Sequence, residues 1–191
     1  MSESETVLYA VRGSTAVVTM NRPEYRNAGI GRKLKLAQRE EALARGIRKM
    51  EWTFDPLEVK NAYLNIQRLG AIVHSYTPNF YGVFSSRLQG GLPTDRLHAE
   101  WWMDSDRVKA AIGGREVMLP EIVETIDVPG AVREWRGSAD DFGKAEAVQT
   151  EVRERFQKAF TRGLAVVGFV RNEQDTSESN GVYQLSNWRE P

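Results

Sequence analysis

The chain of 191 residues contains no cysteine, which excludes a disulfide framework and any thiol chemistry and points to a reducing, cytoplasmic setting. It has no excess of charge: 26 Lys and Arg balance 26 Asp and Glu, so no overall basic field draws it to nucleic acid. No apolar run approaches the ~20 residues that cross a bilayer, and no membrane contact is expected. The acidic opening Met1-Ser2-Glu3-Ser4-Glu5 is not followed by the unbroken apolar core of a signal peptide. Internal repeats and low-complexity tracts are also missing. What is present is an ordinary globular composition, 41% hydrophobic and 27% charged, in a length that suits one domain, or one domain with an appended piece.

Two β-rich runs, Val7–Val11 and Ala16–Met20, flank Arg12-Gly13-Ser14-Thr15 and read as a hairpin. Ile30–Arg45 reads as a helix with two apolar stripes, Ile30, Leu34, Ala37 and Ala44 beside Leu36, Leu43 and Ile47, closed by Gly46. A strand over Arg48–Phe54, a helix over Glu58–Leu69 closed by Gly70 and a strand over Ala71–Tyr76 follow. Pro78–Thr94 is rich in Gly, Pro, Ser and aromatics and reads as a long loop. Leu97–Met103 alternates, with Leu97, Ala99, Trp101 and Met103 on one face and His98, Glu100 and Trp102 on the other. After a junction over Asp104–Arg115, a strand-like stretch covers Glu116–Asp127, and Lys144–Thr161 carries Val148, Val152, Phe156 and Phe160 at four-residue steps. Strands over Leu164–Val170 and Val182–Trp188 bracket the polar loop Asn172–Gly181.

The most informative stretch is Arg26-Asn27-Ala28-Gly29-Ile30-Gly31, set between a strand and a helix. Two glycines allow a tight turn and bring bare amides close to a ligand. A helix beginning there leaves its first N–H groups unpaired beside a partial positive charge. The result is an anion site suited to a pyrophosphate. Gly31 is followed by Arg32-Lys33-Leu34, which lacks the Lys-Ser/Thr of a Walker loop and the third glycine of a dinucleotide fingerprint.

Arg/Gln-x-x-Gly-x-Gly/Ala in this setting, led in by Pro23-Glu24-Tyr25 and followed by Ala62 and Leu69-Gly70, resembles the GNAT acyl-CoA N-acyltransferases. The runs Lys35–Glu40, Glu51–Pro56 and Gly90–Leu97 resemble an uncharacterised bacterial subgroup of that superfamily. The resemblance covers about Pro23 to Trp102. It implies an α+β (α/β) fold with a mixed, mostly antiparallel sheet flanked by helices, shortened at its N-terminus and extended by a C-terminal β-α-β-β module. The strands on either side of the glycine loop and its helix would splay to admit pantetheine. Arg26, Asn27, Ala28, Gly29, Ile30, Gly31 and Arg32 would hold acetyl-CoA or another acyl-CoA as substrate, with no metal. The acceptor would be a small-molecule amine or a protein N-terminus. Many members use a tyrosine as acid at the position held here by Ile66; Tyr63, one turn earlier, is the substitute, Glu51 is the candidate base, and His74 and Tyr76 are weaker candidates for this proton chemistry.

The opening, from Thr6 through Arg22 to Ala28, resembles the first hairpin of enoyl-CoA hydratase/isomerase (crotonase) proteins, without the later oxyanion segment that such chemistry needs. The expected division is therefore 1–22 for that hairpin, 23–104 for the acyl-CoA-binding core and 105–191 for the C-terminal module. Three functions are expected in descending order: a GNAT-like N-acyltransferase, intact or degenerate; a non-catalytic acyl-CoA-binding or protein-interaction module; and a crotonase-type fragment. The unprotected edge Val7–Val11 leads to a homodimer as the expected assembly.

Overall fold

The computed structural model describes residues 7–12, 15–20, 30–82, 91–171 and 180–188. The chain divides into two compact units, Met1–Arg48 and Lys49–Pro191.

In the first unit, β1 (Val7–Arg12) and β2 (Thr15–Met20) pair as an antiparallel two-stranded sheet, with Val7 opposite Met20 and Arg12 opposite Thr15. Helix α1 (Ile30–Ala44) touches both strands. Its end follows from Gly46, whose φ of 76° suits glycine. The Gly46 amide donates to Leu43 O and the Ile47 amide to Ala42 O, at 3.0 and 2.9 Å. Those two bonds make a Schellman closure that satisfies the last carbonyls. The apolar stripes expected on this helix are not its buried line. Ala37 and Ala44 are exposed, Leu34, Leu36 and Leu43 are half-buried, and Ala42 is the buried position.

The second unit is built on a six-stranded sheet in the order β3-β5-β4-β7-β8-β6, antiparallel at every pairing. Its strands are β3 (Lys49–Phe54), β4 (Ile72–Thr77), β5 (Arg96–Trp102), β6 (Glu124–Val128), β7 (Leu164–Arg171) and β8 (Gly181–Asn187). The fold class is α+β, as expected. Strands on both sides of the division expected at 104/105 share this sheet, since β7 pairs with β4. The boundary between the two compact units follows α1, between Arg48 and Lys49.

The alternation of β5 comes out as its residue types dictate: Leu97, Ala99, Trp101 and Met103 are fully buried. Against that face lies α2 (Val59–Ala62), which widens into a π-helical segment at Tyr63–Arg68. The segment buries Asn65 and Ile66, and Trp52 Nε1 donates to Asn65 Oδ1 at 3.3 Å while Trp101 Nε1 donates to Leu69 O at 2.7 Å. Helix α5 (Phe142–Thr161) covers the same face farther along, with Phe156 stacked on Tyr76 at 5.8 Å and edge-on to Tyr183 at 5.0 Å. Two short helices are also present, α3 (Asp106–Ile112), where a junction is expected, and α4 (Val132–Trp135), in a stretch for which the sequence carries no expectation. Ser105 caps α3 by accepting from the Val108 amide. Arg136, just past α4, forks onto Asp55 at 2.9 and 3.1 Å and ties that helix to the entry of α2. The stretch expected as a strand over Glu116–Asp127 enters the sheet only at Glu124.

Candidate functional site

The opposite face of the β3-β5-β4 part of the sheet is polar. Lys49, Glu51 and Thr53 alternate along β3 with Met50, Trp52 and Phe54. The register sets Lys49 opposite Trp102, Glu51 opposite Glu100 and Thr53 opposite His98. On β4, Ile72 stands opposite Glu100 and Tyr76 opposite Leu97, with a register shift between Val73 and Tyr76. This bulge sets His74 and Ser75 against the single residue His98. The only two histidines of the chain are thereby brought to neighbouring strands beside two glutamates and a lysine.

Glu100 organises this face. Its side chain is 9% exposed, with Oε1 2.9 Å from His74 Nε2 and Oε2 2.8 Å from Lys49 Nζ. Lys49 also reaches Glu51 Oε1 at 2.7 Å. Burial opposes the charge on Lys49, but its bonds to Glu100 and Glu51 outweigh this and hold the ammonium above its usual range. The Lys49 bond in turn holds the Glu51 carboxyl below its usual range, helped by the nearby His98 and His74. His98 Nε2 lies 2.8 Å from Thr77 Oγ1. Phe80 sits edge-on to the His98 ring at 5.6 Å and to Tyr81 at 4.8 Å. The Arg96 guanidinium covers Tyr81 at 5.1 Å.

A braced turn presents those two exposed aromatics. Asn79 takes a left-handed φ of 45°, a strained state for a residue with a side chain. Its amide donates to Asp95 Oδ1 at 2.9 Å, the Phe80 amide to Thr94 O at 2.9 Å and the Tyr81 amide to Thr94 Oγ1 at 2.8 Å. Asp95 is itself fixed by Arg153 at 2.8 and 3.2 Å and by the Tyr76 hydroxyl at 2.5 Å. Burial, then the bond to Asp95, pushes the Tyr76 hydroxyl far up, so this candidate acid is committed to the brace.

The residues expected from the sequence are distributed as follows. Arg26, Asn27, Ala28 and Gly29 lie outside the described residues, whereas Ile30, Gly31 and Arg32 form the first turn of α1. Glu51 is exposed on the polar face. Tyr63 lies in the π segment, half-buried, with the Arg171 guanidinium 5.1 Å above its ring. Because the π segment packs on the Trp52 side of β3, Tyr63 and Glu51 fall on opposite faces of the sheet. The structure does not bring that pair together. Ile66 is core, 1% exposed. Sequence reasoning did not select Lys49, His98 and Glu100, although alternation alone puts His98 and Glu100 on one face. The missing information was the cross-strand register. Among the described residues, no three His, Cys, Asp or Glu side chains gather as a metal-binding group. No helix there is long and apolar enough to cross a membrane.

No family model, no curated protein and no solved structure matches this chain.

Proposed function

We propose that the protein is a GNAT-like N-acyltransferase, binding acyl-CoA through the main chain of residues 26–32 and passing its acyl group to an amine. The observation that carries this reading is the start of α1. The helix, described over Ile30–Ala44, follows Asn27-Ala28-Gly29 in the sequence and has no acidic side chain in its first turn. Its leading amides are therefore not neutralised by the helix's own carboxylates, and the sequence adds Arg32 and Lys33. Amides and partial charge at such a terminus suit a pyrophosphate.

Acyl transfer also needs a proton acceptor for the ammonium and a route for the leaving thiolate. Of the two residues suggested by sequence, Glu51 is the better fitted by its own surroundings, being exposed and ionised beside Lys49. Tyr63 is capped by Arg171. Buried Ile66 offers no acid, but a thiol of pKa about 8.5 leaves acceptably near neutral pH. Slow turnover is the expected behaviour, and binding without turnover is the second reading favoured by Ile66.

Calorimetric titration with coenzyme A tests the site. The parent chain should bind, and Gly29→Val should weaken binding at least tenfold, about 1.4 kcal/mol, with the far-ultraviolet spectrum unchanged. Equal affinity in the two proteins would remove the loop from consideration.

A further inference from the structure

We infer that His74 and Glu100 form an acid–base dyad on the polar sheet face, with His74 as the proton acceptor and Glu100 as its positioning residue. The substrate class is a molecule with a moderately acidic C–H or N–H proton. This inference goes beyond the acyl-CoA reading, and neither its premises nor its test involves coenzyme A.

The geometry carries the argument. Lys49 Nζ lies 2.8 Å from Glu100 Oε2, and a carboxylate paired with an ammonium only accepts hydrogen bonds. The 2.9 Å approach of His74 Nε2 to Glu100 Oε1 therefore requires the hydrogen to be on Nε2. In the neutral ring the lone pair then lies on Nδ1. No partner for Nδ1 exists among the described residues, and the His74 side chain is 40% exposed while that of Glu100 is 9% exposed. A base whose far nitrogen is fixed by a buried carboxylate is the arrangement that orients catalytic imidazoles generally. His98 differs, since its Nε2 is engaged by Thr77 and its ring is packed by Phe80.

The step balances simply. Nδ1 takes the substrate proton, the electron pair of that C–H or N–H bond stays with the substrate, and the resulting imidazolium is stabilised by Glu100. Solvent removes the proton afterwards. Phe80 and Tyr81, exposed beside His98, offer a surface for a flat substrate body.

5-Nitrobenzisoxazole is a suitable probe, because loss of its ring proton breaks the N–O bond and releases a coloured phenolate with no other reactant. The parent chain should turn it over. His74→Gln should lower the rate at least tenfold, a modest share of the ~10²–10⁴ that a positioned base supplies, and should lower it more than His98→Gln does. With only two histidines in the chain, those same variants assign both rings in long-range ¹H–¹⁵N spectra. The neutral His74 ring should carry its hydrogen on Nε2, and Glu100→Gln should lower both the rate and the share of that tautomer. Circular dichroism checks that each variant is folded. No turnover by the parent chain, equal rates in parent and His74→Gln, or an Nδ1–H tautomer at His74 would each overturn the dyad.

Discussion

Asp95 has no exposed side-chain surface, and Arg153 is its charge partner. Such a carboxylate is tolerable only because the Arg153 fork, the Tyr76 hydroxyl and the Asn79 amide all donate to it. Removing one partner of a buried pair leaves an uncompensated charge, so Arg153→Met should cost about 3–5 kcal/mol, read from urea unfolding. The brace also holds the strained Asn79 turn, and loss of Arg153 should release Phe80 and Tyr81 from their places beside His98. Lys35 gives a prediction of opposite kind. Burial pulls its ammonium from an ordinary value of 10.5 down to about 8. Between those values the unfolded chain holds the proton and the folded chain has lost it, so the Lys35 contribution to stability rises with pH across that window. Urea midpoints at pH 7.5 and 9.5 should therefore differ less in Lys35→Met than in the parent, and the variant should be the more stable of the two at pH 7.5.

Elements were legible where one local rule decides them. The Leu97–Met103 alternation was fully visible, since a period of two survives any register, and Gly46 and Gly70 closed helices where expected, at φ of 76° and 77°. A Cβ at Gly46 would meet nothing within 4 Å, so Gly46→Ala should cost only the left-handed backbone penalty, about 1–2 kcal/mol. At Gly70 the same atom would lie 3.1 Å from Val108 Cα, and Gly70→Ala should cost more by pushing α3 away; thermal melts of the pair measure the difference. The four-step line Val148, Val152, Phe156 and Phe160 was right in kind but drifts around a helix of 3.6 residues per turn. The buried line is Ala145, Gln149, Val152, Phe156 and Ala159, stepping by four and three. The π segment could not be read from Tyr63–Arg68, because its widening answers contacts made elsewhere, with Trp52 seeking Asn65 and Trp101 seeking Leu69 O. The polar face has the same cause. Its residues come from three strands whose order is 3-5-4, and neither that order nor the β4 bulge leaves a local trace.

At the scale of the whole molecule, the two units differ in how their sheet edges are protected. The six-stranded sheet ends on β3, which carries Lys49 and Glu51, and on β6, which carries Glu124 and Asp127. Charges on an edge discourage a second chain from pairing there. Among the described residues, the first unit's sheet consists of β1 and β2, and β1 reads Val-Leu-Tyr-Ala-Val-Arg, with neither lysine nor proline. A two-stranded sheet is marginal by itself in water and gains from further strands or from apolar packing. Pairing of like edges about a twofold axis would supply both with one kind of contact. Light scattering across a range of concentrations should therefore report a dimer or larger species. Leu8→Lys should shift that equilibrium toward monomer, by setting a charge on the edge strand and repelling its copy across the axis. The Gly29→Val variant, which leaves β1 intact, should retain the assembly of the parent. A parent chain that is monomeric at every concentration would mean that the β1 edge is satisfied within one copy.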